Sequence, residues 1–504
     1  MTTFDTHSPL AYSEVQSVVS QSGTTLVITV TGGQGALFAI DQQVTIWPNQ
    51  EQALFSNAMI GRITAIAADQ LTIDYSSANL EGTNVRTVLV TDQISNTVTP
   101  KALKDIEDAV NNINFAPVRA FLSVSRTAGD GDYICDGTAD DVQIQAANDA
   151  AAAAGGGVVY IKAGTYNLAA RVNVSSNVAI IGENKLCTLN LASGAGIWIS
   201  SVSNVLIKNL TTDATNQVSG LTGSATDMAI KIINSSDVRI LDNEVLNNTS
   251  FGVFISSETS GTTQRVSVKG NHLTGRGNSD IIGGGTDGTS ILTDVWVEDN
   301  LVYQDASLGA LYATAIDIVG VTRTTVAGNK TYGSIYFGGE QGPQTYSNII
   351  NNAIYPANSA SYCVLGINAA NVTNVSKRLV VSGNMIYNGY IFIDGGVGSK
   401  MYDCIVSNNT IEGAASYYGI RFNAANGGSC IGNNINGGTI GISIYGSAKI
   451  AVLGNLVRGT STASIKEESA SDYNTFIGNI CTDNTSNPIV TIGAHTVAAN
   501  NINT

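Results

Sequence analysis

One short pattern returns eleven times between residues 238 and 501: apolar, any, apolar, any, then Gly, Asp or Asn, then Asn. It reads VRILDN, VSVKGN, VWVEDN, TTVAGN, NIINN, LVVSGN, CIVSNN, CIGNN, IAVLGN, TFIGN and TVAANN. The closing residues are Asn243, Asn271, Asn300, Asn329, Asn352, Asn384, Asn409, Asn434, Asn455, Asn479 and Asn501. Periods of 20–30 residues without helical periodicity indicate a solenoid of strands. Each repeat carries a second strand, as in GVFI, TAIDI, GSIYF, GYIFI, YGIRF and IGISI. Strand, Asn turn, strand and loop then make one coil of a parallel β-helix, with alternate side chains buried. The repeated Asn is read as structural. It tolerates the left-handed conformation at a tight turn, and its amide can bond its neighbours up the stack.

A solenoid needs a cover over its first coil. The stretch DGTADDVQIQAANDAAAAAGGGVVYIKAGTYNL, residues 136–168, supplies one. Thr138-x-x-Asp141 resembles a capping box, Val142, Ala146 and Ala150 share an apolar face, and Gly155 to Gly157 end the helix. The helix is expected to lie across the mouth, with GGGVVYIKAGTYNL as the first coil.

The chain divides into three expected parts. Residues 1–97 alternate apolar and polar positions in TTLVITV, QQVTIWP and GRITAIAADQLTIDY, as a small β domain would. Residues 98–117 hold a linker helix with Leu103, Ile106, Val110 and Ile113 at heptad spacing. That seam suits either packing on its own domain or a self-association stalk. Residues 118–504 are the solenoid. A net charge of −15 disfavours nucleic-acid partners. No apolar run reaches the ~20 residues of a membrane helix, so no membrane insertion is expected. The N-terminus, MTTFDTHSPLAY, lacks the basic start and apolar core of a signal peptide. Six scattered cysteines form no C-x-x-C pair and are read as buried free thiols; neither a metal site nor a cofactor is expected.

DGTADDVQIQAAND and GGGVVYIKAGTYNL closely resemble the start of right-handed parallel β-helix proteins of the pectate-lyase-like superfamily, and the repeats extend that resemblance over residues ~120–504. Residues 39–85 resemble the small five-stranded barrels near the N-termini of phage tail proteins. The order of barrel, heptad-bearing helix and β-helix resembles phage tailspikes. The fold class expected is therefore all-β: a right-handed β-helix capped by a short helix, preceded by a small β-barrel and a linker helix. The resemblance also implies a homotrimer, a place on the virion tail, attachment to the tail or baseplate through the N-terminal domain, and a bacterial surface polysaccharide as ligand.

Excess loop length is concentrated between residues 209 and 384, which places the binding face at about 250–395. Ile316 and Ile318 should point inward and so aim Asp317 outward. The equivalent positions next door are Tyr336, Phe392 and Arg421. A carboxylate, aromatic rings and a guanidinium on one rigid face suit a sugar chain; Tyr312 and Asp394 complete the expected glycan contacts. Tyr303, Tyr332, Tyr346, Tyr355, Tyr387 and Tyr390 are read as equally consistent with plain cover of a β surface. A glycosidase needs two carboxyls about 5–10 Å apart. Adjacent coils lie ~4.8 Å apart, so the candidate catalytic residues are Asp317 with Asp280, Asp287 or Glu340. Asn278-Ser279-Asp280 faintly resembles the first motif of polygalacturonases, but the later D-D and G-H-G motifs do not follow. Arg276 and Arg323, candidates by likeness to pectate lyases, lack a clustered Asp set, and His272 is read as an exposed turn residue. Three functions stay open: a receptor-binding protein, a polysaccharide depolymerase (hydrolase or lyase), and a purely structural virion component.

Overall fold

The computed structural model describes residues 120–217, 227–275, 281–286, 289–304, 314–338, 344–357, 363–368, 376–396, 401–413, 416–483 and 488–504, together with six strands between residues 12 and 96. The chain separates into two compact units, Met1–Asn114 and Phe115–Thr504. In the first, Tyr12–Ser22, Thr25–Val30, Gln43–Trp47, Met59–Ala67, Gln70–Asp74 and Gln93–Asn96 pair antiparallel. The expected linker helix lies outside the described residues.

The second unit is a parallel β-solenoid of about 12 turns. Each coil contributes to three ladders, one more strand than the sequence reading expected. The first ladder contains strands such as Ser236–Leu241, Thr262–Lys269 and Ile291–Glu298. The second follows directly after the Asn turn, with His272–Gly275, Leu301–Gln304 and Lys330–Tyr332. The third holds Phe251–Ser257, Ile282–Thr286, Thr314–Val319 and Ser334–Gly338. Second-ladder strands of three to five residues are too short to show a period in sequence, so they had merged with the turn. His272 opens one of them and is half-buried, not an exposed turn residue.

Inside, aliphatic side chains stack one per coil. Ile197, Ile230, Val253, Ile282, Ile316, Ile335, Leu365, Ile391, Ile420, Ile442 and Ile465 follow one another in register, and each is essentially solvent-free. Burying each such side chain contributes about 1.5–3 kcal/mol before entropy is counted.

At the turn between the first and second ladders runs a buried amide column. Asn243, Asn271, Asn300, Asn329, Asn352, Asn384, Asn409, Asn433, Asn455, Asn479 and Asn501 are joined Nδ2 to Oδ1 at 2.9–3.0 Å. In each pair the backbone N–H of the earlier residue also donates to the same Oδ1, as Asn271 does to Asn300 at 2.9 Å. The residue in the CIGNN repeat is Asn433 rather than Asn434; Asn434 begins the next strand. The left-handed residue is not the stacked Asn but the one before it: Asp242, Gly270, Asp299, Gly328, Asn351, Gly383, Asn408, Gly432, Gly454, Gly478 and Asn500 all have φ between 53° and 68°. The variable Gly/Asp/Asn position of the repeat makes the bend, and the invariant Asn that it turns inward makes the bonds.

The helix Asp141–Ala153 covers the first coil, but through a different face from the one expected. Ile144, Ala147 and Ala151 are buried while Val142 is 59% exposed. No side chain caps the helix start, so Thr138 and Asp141 form no capping box. The polar residues instead seal the open strand edge. Asp140 accepts from Asn167 N at 2.7 Å, Asp141 from Ala169 N at 2.8 Å, Gln145 Oε1 from Asn173 N at 2.7 Å and Asn148 Oδ1 from Ser175 N at 3.0 Å. Arg126 reaches the fully buried Asp140 at 3.2 Å. Phe121–Ser125, ahead of the helix, adds a rung to the first ladder beside Gly157–Ile161.

Candidate functional site

The third ladder fixes the candidate site, because strand register decides which side chains share its outer surface. One outward position runs Trp198, Lys231, Phe254, Gly283, Asp317, Tyr336, Gly366, Phe392, Arg421, Ser443 and Lys466. Asp317, Tyr336, Phe392 and Arg421, expected on one face, thus occupy a single column. Each is half-buried, held by inward neighbours such as Ile316 and Ile318 that are at most 1% exposed.

Two rungs of this column have no side chain. At Gly366, a Cβ would lie 2.6 Å from Tyr336 Cε1, so the Tyr336 ring occupies that rung. At Gly283, which is buried, the neighbours in the column are Phe254 on one side and Asp317 on the other. From Phe254 to Arg421 the column climbs six rungs, ~29 Å at the usual strand spacing.

The two ends of the column differ. Toward the N-terminal coils the Trp198 ring is already covered. Arg171 lies 3.9 Å and Lys231 4.6 Å from the Trp198 ring centroid, and Lys231 also approaches Phe254 at 5.7 Å. Toward the C-terminal coils the Arg421 guanidinium lies 4.6 Å from Tyr418, 4.6 Å from Tyr445 and 6.0 Å from Phe392. Tyr390, stacked on Tyr417 at 5.2 Å, packs edge-on to Phe392.

Asp394 belongs to a neighbouring position on this ladder, and its carboxylate accepts from Gly396 N at 2.9 Å and Asn423 Nδ2 at 2.8 Å. That bonding ties a turn to the next coil. Asp280, Asp287, Glu340, Tyr312 and Arg276 lie outside the described residues. Among the described residues the rungs on either side of Asp317 carry Gly283 and Tyr336, and Asp394 is three rungs away, ~14 Å at strand spacing.

The remaining tyrosines are not on this face. Tyr303, Tyr332, Tyr355 and Tyr387 form a strip on the second ladder, with centroids 5.4, 5.1 and 4.5 Å apart. Tyr332, Tyr355 and Tyr387 stack nearly face to face, so their faces are largely spent on one another. Lys330 sits over Tyr332 and Tyr355 at 5.3 and 5.5 Å, and its hydrogen bond to Tyr332 raises its pKa. Tyr346 is on the first ladder, 5.2 Å from Arg378.

Arg323 also faces the first ladder. It makes two bonds to Asp294, 2.6 and 2.7 Å, as Arg265 does to Asp237 at 2.6 and 2.8 Å. These hydrogen bonds lower the pKa of both carboxyls. All four residues have positive φ, between 53° and 57°, and stack as one charged column of alternating sign. Among the described residues, no group of three or more His, Cys, Asp or Glu side chains could hold a metal ion, and no helix is long and apolar enough to cross a membrane. The six cysteines are buried free thiols.

No family model matches the sequence, and no curated protein matches it. Solved structures do resemble it. The A-module of mannuronan C-5 epimerase AlgE6 from Azotobacter vinelandii is 17% identical with a TM-score of 0.51, over 74% of this chain and 97% of that one. The Streptococcus pneumoniae surface adhesin PfbA is 18% identical with a TM-score of 0.50, over 70% and 92%. A tailspike of the E. coli bacteriophage HK620, solved with a hexasaccharide, is 13% identical with a TM-score of 0.50, over 78% and 81%. At such identities the likeness is one of architecture: the chain has a parallel β-helix fold similar to those of an epimerase, an adhesin and a phage tailspike.

Proposed function

We propose that this protein is a tailspike-like receptor-binding protein that recognises a bacterial surface polysaccharide along its third ladder. One observation carries the reading: Phe254, Asp317, Tyr336, Phe392 and Arg421 share one outward register position over six rungs. A sugar chain presents apolar ring faces and a dense row of hydroxyls. Aromatic side chains match the first, and a carboxylate and a guanidinium match the second. A rigid solenoid keeps these groups at fixed spacing, so little ordering cost falls on the protein side of binding. The architectural likeness to a tailspike solved with a hexasaccharide and to a surface adhesin supports the same reading. Within it, the N-terminal unit attaches the protein to a phage tail or baseplate, and the working particle is a homotrimer.

A second reading, depolymerisation of the same glycan, is favoured by the Asp317 carboxylate within this column. A sugar lying along it would place a glycosidic bond next to that carboxylate, and Asp280, Asp287 or Glu340 would supply the partner that hydrolysis needs.

The test is incubation with a panel of bacterial capsular polysaccharides, with size-exclusion of the sugar and light scattering of the protein. Co-elution without shortening supports the binding protein. Shortened glycan that Asp317→Asn no longer produces supports the depolymerase. A folded oligomer that engages no polysaccharide refutes both and leaves a structural virion component.

A further inference from the structure

Arg421 differs from the other well-bonded arginines of the solenoid. Arg126, Arg265 and Arg323 each pair with a carboxylate, and Arg378 and Arg458 bond to a phenol and an amide. Among the described residues, Arg421 makes ring contacts only. Tyr418 and Tyr445 lie equally close, at 4.6 Å, with Phe392 beyond. Its Nε is buried with no hydrogen-bond partner. A guanidinium has five donors and no acceptor, and an unsatisfied buried donor is costly. Aromatic contacts stabilise the cation and hold its plane, but they accept no hydrogen bond in that plane. The arrangement is a pre-positioned guanidinium whose Nη donors no described residue engages, which suits it to an acceptor from outside the chain. Planar guanidinium forks match carboxylates bidentately, and charge-assisted bonds of this kind are about twice as strong as neutral ones.

Position selects the ligand further. Arg421 stands one rung beyond Phe392 and four rungs beyond Asp317, ~19 Å along the same column. A sugar lying on Phe392 would bring a ring substituent to the fork.

We propose that Arg421 binds a sugar carboxylate, so that the polysaccharide recognised by the third ladder is one bearing uronic or similarly acidic residues. This rests on the glycan-binding reading above.

The experiment uses the full chain and three classes of capsular polysaccharide: uronate-bearing, phosphodiester-bearing and neutral. Each uronate-bearing polymer is also tested after chemical reduction of its carboxyls to primary alcohols. Expected is binding to a uronate-bearing polymer that weakens about tenfold or more on reduction, the scale of one lost charge-assisted bidentate contact. Arg421→Gln should weaken binding to the native polymer by the same factor and weaken binding to the reduced polymer far less. Arg421→Lys, which keeps the charge but not the fork, should fall between. An unchanged thermal midpoint in both variants controls for folding. Equal binding before and after reduction, or preference for a neutral or phosphodiester polymer, overturns the carboxylate assignment and leaves the glycan reading standing. Failure to bind any polysaccharide overturns both.

Discussion

Replacing Asn300 by Ala tests how the solenoid is held together. Asn300 is 2% exposed, and its side chain takes part in four hydrogen bonds. Its Oδ1 accepts from Asn271 N at 2.9 Å and Asn271 Nδ2 at 3.0 Å. Its Nδ2 donates to Val268 O and Asn329 Oδ1, both at 2.9 Å. Truncation leaves the Asn271 N–H buried without an acceptor and removes one donor each from Val268 O and Asn329 Oδ1. An orphaned buried group costs about 1–3 kcal/mol and each ordinary bond lost about 0.5–1.5, so the total expected is about 2–5 kcal/mol. Asn501 is the control. It makes the same bonds to Asn479 but is only half-buried, so water can replace it, and Asn501→Ala should cost under about 1 kcal/mol. Guanidinium unfolding gives the two values, and hydrogen exchange at the Asn271 amide should accelerate in Asn300→Ala alone. Equal destabilisation by the two substitutions, with Asn271 still protected, would show that the column is an ornament of the turn and not a brace.

Other expectations follow from single features. Asp237→Asn should weaken folding by no more than about 1 kcal/mol, since the pair with Arg265 is about half exposed. Because Arg265 depresses the Asp237 pKa, that contribution is present at neutral pH and above the unfolded carboxyl pKa, and is lost as pH falls through the lower folded value; pH-dependent unfolding should show wild type and variant converging in acid. Burial pushes the thiols of Cys187, Cys363 and Cys404 up to about 12, so a thiol reagent should label the native protein slowly and all six cysteines rapidly in denaturant. Gly366→Ala should leave the unfolding midpoint nearly unchanged, because the added methyl meets the movable Tyr336 ring, yet weaken polysaccharide binding severalfold by displacing that ring. Gly284→Ala should be severely destabilising, because its Cβ would fall within 1.9 Å of the Ile255 carbonyl oxygen, which cannot retreat without breaking the ladder.

The solenoid was legible because a coil must repeat its turn chemistry: the amide that stacks on Asn300 is an amide at each rung from Asn243 to Asn501. The column of Asp317, Tyr336, Phe392 and Arg421 was legible for a related reason, since side chains alternate along a strand and flanking isoleucines declare which way is in. What escaped notice had no comparable signature. Gly283 and Gly366 shape the column by lacking a side chain, and a missing group shows no period. The helix face was misread because hydrophobicity was scored alone. Asp141, Gln145 and Asn148 face the coil for their hydrogen bonds, and Val142 is left outside. The tyrosines looked like one cluster in sequence, but three strands per coil distribute them over three surfaces.

The way the cover helix meets the first coil also bears on how the chain is made. The open edge of that coil at Asn167, Ala169, Asn173 and Ser175 is satisfied by side chains from residues 140–148. Those residues leave the ribosome before the strands they serve. The acceptors that the first coil needs are therefore already synthesised when it pairs, and each later coil adds to an edge that is already paired. Growth in that order gives assembly a starting point and a direction, and it withholds the first edge from any foreign strand during synthesis.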